Sequence, residues 1–100
     1  MPVYWIGRAN VVDEEPMQEY HRLTELALQK YPNRTTLVRG GKFKLIEGVS
    51  EFNRFVIHEY RSMDEALEFY YSEEYQRAVP FRMLATKGQS NLILVEGPGK

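Results

Sequence analysis

The chain has 100 residues, of which 43% are hydrophobic and 27% are charged, and its formal net charge at pH 7 is −1. These values are typical of a single globular domain over residues 1–100, and the balanced charge without a basic run argues against nucleic-acid binding. No apolar run approaches the ~18 residues of a membrane span, and the N-terminus shows no signal-peptide pattern, so we expect a cytoplasmic protein. The absence of cysteine excludes disulfides, thiolate nucleophiles and cysteine-containing metal sites. The sequence predicts neither a metal site nor a cofactor.

The N-terminal half of the chain predicts a strand, a helix and a second strand. Residues Val3–Val12 are mostly β-branched, aromatic or small, which favours a strand. Asp13 is a suitable N-cap for the helix, whose apolar residues recur at helical spacing as far as Leu28. Residues Thr36–Ile46 return to strand composition. They contain Gly40-Gly41, which indicates a β-bulge or a bend because glycine tolerates the backbone angles that an extra residue requires.

The C-terminal half predicts two further strands with a helical region between them. Residues Phe52–Arg61 have strand composition, and Ser62 then begins a Ser-x-x-Glu capping box for the second helix. Ser72 indicates another helix start, and Pro80 is expected to divide or end that short segment. The last predicted strand is Asn91–Glu96, followed by a Gly-Pro-Gly turn.

The predicted order is β-α-β-β-α-β, which is the ferredoxin-like arrangement of the α+β class. Right-handed crossovers place both helices on one face of a four-stranded antiparallel sheet. The strands carry apolar residues on both faces, since Val3 and Trp5 share one parity of the first strand while Tyr4 and Ile6 share the other. We therefore expect the second face to be covered by another copy of the chain, giving a homodimer.

Several segments resemble the family called domain of unknown function 1330. They are YWIGRANV, LVRGGKFKLIEG, FVIHEYRSMDEALEFYYSEEYQRAVPFR and LILVEG, and together they span nearly the whole chain. The resemblance implies a dimeric α+β barrel, in which two ferredoxin-like subunits pack sheet to sheet around a central space. It leaves the activity open, because that superfamily includes cofactor-free monooxygenases, haem-degrading enzymes, isomerases, dehydratases and binding proteins.

Side-chain parity selects polar residues for the space between the sheet and the partner. Tyr4 and Arg8 are expected to face the partner from the first strand, and Glu59 from the third. A bulge at Gly40-Gly41 is expected to turn Arg39 into the same space. We expect Arg8, Arg39 and Glu59 to converge, with one arginine paired to Glu59 and the other free for an anion. A purely structural ion-pair network is the alternative.

The chain has two histidines, and Arg82 is a further candidate. His21 is expected to form at most a surface pair with Glu25 on the first helix. His58 has the strand parity that faces the helices, which predicts a core histidine. If that parity is inverted, His58 takes the place of Glu59 in the space between sheet and partner and becomes a catalytic candidate. Arg82 matches the family pattern, and it is expected to reach a strand carboxylate or to cover the mouth of the barrel.

Two functions from different classes follow. The chain either binds a small, partly apolar or anionic organic molecule between sheet and partner, or it is a cofactor-independent enzyme of the monooxygenase, isomerase or dehydratase type. The enzyme would use Glu59 or His58 as general base, with Arg39 stabilising an oxyanion. The expected ligand contacts are Tyr4, Arg8, Arg39 and Arg82.

Overall fold

A computed structural model describes residues 1–98; the last glycine of the predicted terminal turn, Gly99, lies outside the described residues. None of the helices in these residues combines the length and the apolar character that crossing a membrane requires. The elements in chain order are β1 (Val3–Ala9), α1 (Glu14–Lys30), β2 (Arg34–Arg39), β3 (Arg54–Tyr60), α2 (Met63–Tyr71), α3 (Glu73–Gln76), α4 (Val79–Thr86) and β4 (Ser90–Glu96).

The four strands form one antiparallel sheet in the order β2-β3-β1-β4. This order confirms the predicted ferredoxin-like fold. The segment predicted after Ser72 is divided into α3 and α4, and Pro80 lies in the first turn of α4, where its missing N–H leaves no helical hydrogen bond unmade.

The predicted helix starts carry the expected caps. The Asp13 side chain accepts a hydrogen bond from the Glu15 N–H at 3.2 Å, and the Ser62 hydroxyl accepts from the Glu65 N–H at 3.2 Å. The Glu65 side chain accepts instead from Arg61 at 2.9 Å, so the second bond of the predicted capping box is replaced by an ion pair.

The main core lies between the sheet and the helices and is built around Trp5, which is 2% exposed. The ring of Trp5 lies 5.8 Å from the ring of Phe69 and 5.5 Å from that of Tyr75, both in edge-on geometry. Such aromatic contacts stabilise beyond the area they bury. They fix Trp5 at the centre of the helix face of the sheet.

The sequence predicted a bulge or a bend at Gly40-Gly41; the bulge of β2 lies instead at Leu37, and the chain bends at the glycines. Thr36 lies opposite His58 and Val38 lies opposite Ile57, so Leu37 is the extra residue of a bulge. The two glycines have φ angles of 67° and 90°, and they end the strand. The predicted continuation of this strand to Ile46 is therefore wrong.

The face of the sheet away from the helices is apolar and uncovered. Ile6 lies at its centre, opposite Ile57 on one side and Ile93 on the other. Ile93 is 48% exposed, and the irregular segment between β2 and β3 adds exposed apolar residues such as Phe43 and Ile46. We call this surface the bare face.

Candidate functional site

A cavity of about 380 Å³ lies on the helix face of the sheet, beneath α1. The sequence predicted a ligand space on the opposite side, between the sheet and a partner. Trp5, Gly7, Val56 and Leu92 contribute an apolar floor from three neighbouring strands, and Leu28 contributes from α1. We call this space the helix–sheet cavity.

The polar lining of the helix–sheet cavity has an excess of positive charge. Glu25 of α1 is the carboxylate side chain that borders it, and it pairs with Arg39 at 3.3 Å. Arg54 pairs with Glu14 at the start of α1. The remaining arginines make no ion pair with a carboxylate within residues 1–98. The full set of bordering arginines is Arg8, Arg34, Arg39, Arg54 and Arg82.

Buried polar atoms without a hydrogen-bond partner are concentrated around the same cavity. In the part of the chain that the structure describes, five buried side-chain nitrogen or oxygen atoms lack a partner, and four of them belong to residues that border the cavity. Nearly all buried polar groups in proteins are hydrogen-bonded to protein or to ordered water, so these atoms have hydrogen-bonding capacity left for water or for a ligand. The four atoms are Thr24 Oγ1, Arg34 Nε, Arg82 Nε and Ser90 Oγ.

Two of these arginines are held in place by aromatic side chains. The Arg82 Nη1 donates to the Tyr75 hydroxyl at 2.8 Å, and that hydroxyl lies 2.8 Å from the hydroxyl of Tyr20. The Arg34 guanidinium lies over the rings of Phe69 and Trp5, at 5.2 and 5.9 Å from their centroids. Cation–π contact stabilises a guanidinium without neutralising it, so both groups keep their charge available.

His58 borders the cavity from the middle of β3 and is only 6% exposed. Its Nδ1 lies 3.0 Å from the Thr36 hydroxyl, which orients the ring. Burial disfavours the imidazolium, Arg34 and Arg39 repel it, and together they lower the pKa of His58 to about 3. His58 is therefore a neutral imidazole at pH 7, able to donate one hydrogen bond and accept another.

His21 reaches the same cavity from α1, a position that the sequence argument did not foresee. The predicted surface pair with Glu25 is not formed, because Glu25 pairs with Arg39 instead. Burial and the nearby Arg39 and Arg54 lower the pKa of His21. The missed signal was helical spacing: His21 follows Met17 by four residues, which places it beside the buried stripe of α1.

The predicted convergence of Arg8, Arg39 and Glu59 is wrong. Glu59 lies opposite Tyr4, whereas Arg8 lies opposite Phe55, about 13 Å further along the same strand at ~3.3 Å per residue. The bulge at Leu37 places Arg39 opposite Val56, with its side chain toward α1. Tyr4 and Glu59 do not border the helix–sheet cavity, whereas Arg8, Arg39, His58 and Arg82 do.

A second, more open cavity of about 720 Å³ lies at one end of the bare face. It is bordered by Phe43, Phe52 and Phe55, and the Arg8 guanidinium lies 4.8 Å from the centroid of the Phe52 ring. Arg8 and Ser90 border both cavities. The two spaces therefore meet near the ends of β1 and β4.

Three solved structures illustrate what the fold is similar to. A protein of unknown function from Rhodopseudomonas palustris is 17% identical, with a TM-score of 0.76 over 99% of this chain and 84% of that one. A dimeric ferredoxin-like protein of unknown function from Jannaschia sp. CCS1 is 11% identical, with a TM-score of 0.77 over 97% and 100% of the two chains. Hydroxynitrile lyase from Passiflora edulis is 10% identical, with a TM-score of 0.73 over 99% and 96%. At these identities the likeness shows the fold alone.

No curated protein matches the sequence significantly. The family model described as Domain of unknown function (DUF1330) matches residues 2–98, which is nearly the whole chain. The match confirms the resemblance that the strand and helix segments indicated. The chain belongs to the DUF1330 family.

Proposed function

We propose that this protein binds a small organic anion in the helix–sheet cavity, with Arg34 and Arg82 as anchors. The observation that carries the proposal is that, among residues 1–98, four of the five buried side-chain nitrogen or oxygen atoms without a hydrogen-bond partner belong to residues that border this one cavity. Arg34 and Arg82 are partly buried, and a cation that is partly withdrawn from water without a counter-charge destabilises the free protein, so the site gains most from an anionic ligand.

The lining also indicates the chemistry of the ligand. A guanidinium offers two parallel N–H groups that match a carboxylate, which makes a carboxylate the best partner for Arg34 or Arg82. Trp5, Val56 and Leu92 require an apolar body next to that group. A volume of about 380 Å³ lies within the usual range of small-molecule sites.

Trp5 provides the assay, because it is the one tryptophan of the chain and it borders the cavity. Aromatic and aliphatic monocarboxylates are titrated against the protein, each beside its neutral amide, and Trp5 fluorescence is followed. We expect the carboxylates to bind and the amides to bind at least tenfold more weakly, since a hydrogen bond to a charged group contributes about 1.5–3 kcal/mol.

The matched variants are Arg34→Gln, Arg82→Gln and the control Arg77→Gln. Arg77 is exposed and pairs with Glu73 away from the cavity, so its replacement should leave binding unchanged. Each of the other two variants should weaken carboxylate binding by tenfold or more. The proposal is wrong if acid and amide bind equally, if no carboxylate binds, or if all three variants behave alike.

A second candidate function is cofactor-independent proton transfer on the bound ligand, with His58 as the base. It is favoured by the position of a Thr36-oriented imidazole in the same cavity as two unneutralised arginines, which could stabilise an enolate. Because its pKa is about 3, His58 is a weak base in the free protein, and the mechanism requires a bound anion to offset Arg34 and Arg39. Glu59, the other base that the sequence suggested, would require a site on the bare face. Solvent deuterium exchange at the α-carbon of a bound carboxylate tests this: His58→Gln should abolish exchange with little change in affinity, and exchange that persists unchanged would exclude His58.

We also propose that the bare face forms a homodimer. The uncovered isoleucine row centred on Ile6 supports this, as does the dimeric ferredoxin-like neighbour. Ile93→Lys should raise the dimer dissociation constant measured by sedimentation, whereas Leu67→Lys, at an exposed position of α2, should not. A wild-type protein that sediments as a monomer at all concentrations would refute the proposal.

A further inference from the structure

We infer that the ligand of the helix–sheet cavity is a hydroxycarboxylate, whose hydroxyl bonds to the Nε2 of His58 while the arginines hold its carboxylate. The inference rests on the proposed anion site at Arg34 and Arg82, and it adds a neutral polar contact to that site. His58 is then a specificity-determining residue, because it distinguishes hydroxylated acids from the same acids without the hydroxyl.

His58 and Arg34 lie on the same face of the sheet. Arg34 lies opposite Tyr60, which is two positions along β3 from His58, so both side chains are on the helix side. The Arg34 guanidinium lies 5.9 Å from the centroid of the Trp5 ring, and the His58 ring lies 6.3 Å from the same ring. A single small molecule beside Trp5 can therefore contact both the guanidinium and the imidazole.

One ring nitrogen of His58 has a partner and the other has none. Nδ1 lies 3.0 Å from the Thr36 hydroxyl. Nε2 is the ring nitrogen farther from the backbone, so it lies away from the sheet, on the side of α1. Among residues 1–98 no group hydrogen-bonds to Nε2, and Nε2 is not one of the fully buried atoms without a partner, so it is open to the cavity.

A hydroxyl complements this nitrogen in both tautomers of the neutral imidazole. Nε2 donates in one tautomer and accepts in the other, and a hydroxyl can do either, whereas an ether oxygen can only accept. Thr24 of α1 offers a second neutral group above the same cavity, because it is 6% exposed and its Oγ1 lacks a partner. An apolar body, which Val56 and Leu92 require, connects the hydroxyl of the ligand to its carboxylate.

Two series of acids test the inference by isothermal titration calorimetry at pH 7. The first is phenylacetate with its 4-hydroxy and 4-methoxy derivatives, and the second is hexanoate with its 6-hydroxy and 6-methoxy derivatives. We expect at least one hydroxylated acid to bind about fivefold or more tightly than both its parent and its methyl ether, which is the effect of one neutral hydrogen bond. Arg34→Gln should weaken the binding of every acid.

The variants at position 58 identify the group that bonds to the hydroxyl. His58→Phe keeps a ring without nitrogen, so a hydroxylated acid and its parent should bind alike. His58→Gln should retain most of the hydroxyl preference, because its terminal amide can take the place of Nε2. Arg61→Gln is the control and should retain all of it, since Arg61 is exposed and pairs with Glu65 outside the cavity.

Equal affinity of hydroxylated acids and their parents would overturn the hydroxycarboxylate inference and leave the anion site standing. The same holds if the methyl ethers bind as tightly as the hydroxylated acids, or if the hydroxyl preference survives His58→Phe. The ranking of the acids in the wild type needs no variant, so it decides the ligand class even if His58→Phe does not fold. Failure of every acid to bind would overturn the anion site itself.

Discussion

The hydroxyl of Tyr75 connects the aromatic core to the helix–sheet cavity, and its removal gives a sharp test of that connection. Tyr75 is 0% exposed, and burial raises the pKa of its phenol well above the ordinary value, so the group stays neutral. It accepts a hydrogen bond from Arg82 at 2.8 Å, and it lies at 2.8 Å from the Tyr20 hydroxyl. Tyr75→Phe removes both bonds and retains the ring.

The expected cost follows from the groups left behind. Loss of a partner from a buried donor or acceptor costs about 1–3 kcal/mol, and here the Arg82 guanidinium and the Tyr20 hydroxyl both lose one. We expect the free energy of unfolding to fall by about 2 kcal/mol, which for a domain of this size corresponds to a drop in Tm of roughly 8–16 °C. Urea and thermal unfolding at equal protein concentrations measure both quantities, because association would shift either one.

Tyr71→Phe is the matched control. Tyr71 is 72% exposed, so removal of its hydroxyl should change the free energy of unfolding by less than about 0.5 kcal/mol. The reasoning fails if Tyr75→Phe is within that range as well. Tyr75→Phe should also weaken carboxylate binding, because Tyr75 holds Arg82 at the cavity.

Two further substitutions test the pH dependence and the packing of the same face. The folded-state pKa of His58 is about 3 against an ordinary 6.5, so below pH 6.5 the unfolded chain binds a proton that the folded chain does not. Protonation of this histidine in the unfolded chain should therefore lower the free energy of unfolding by up to about 2 kcal/mol between pH 7 and pH 5. Urea unfolding at several pH values should show a smaller pH dependence for His58→Gln than for the wild type. An equal pH dependence in the two proteins would contradict the low pKa of His58. A Cβ at position 7 would lie 2.9 Å from the Val56 Cγ2, so Gly7→Ala should destabilise by about 1–3 kcal/mol. The cost should shrink in a Val56→Ala background, and an equal cost in both would exclude this contact as the cause.

The sequence predicted the architecture well because its signals are local. The caps at Asp13 and Ser62 and the apolar stripe of α1 depend on residues within one or two helical turns, and the structure confirms them. The parity of β1 and β3 was also correct, since Trp5 and His58 both lie on the helix face. These features need no knowledge of distant contacts.

The bulge in β2 was misplaced because its position depends on pairing with another strand. Gly40-Gly41 is the visible irregularity in the sequence, yet positive φ angles at these glycines end the strand. The unpaired residue is Leu37, which carries no local signal of a bulge. This error changed the face assigned to Arg39, whereas Arg8 and Glu59 are kept apart by their spacing along the paired strands.

The side of the sheet that bears the charged cavity could not be predicted by parity either. Parity assigns residues to a face, but it does not say whether a helix packs closely on that face or stands away from it. Gly7 contributes no side chain beneath α1, and the long side chains of Arg34 and Arg82 enter from β2 and α4. Reasoning from strands alone treated the helix face as filled core and sought the ligand space on the bare face.

The charge distribution of the helix–sheet cavity separates arginines with a structural role from those available to a ligand. Glu14 and Glu25 neutralise Arg54 and Arg39 and connect α1 to β3 and β2, so these pairs already have their counter-charges. Arg34 and Arg82 are held by aromatic rings and a phenol, which position a guanidinium but leave its charge uncompensated. If Arg34 and Arg82 served stability alone, we would expect carboxylates beside them as well, because partly buried cations without counter-charges reduce the stability of the free protein. The cost falls on the unliganded state, and under the proposed function it is recovered when an anion binds.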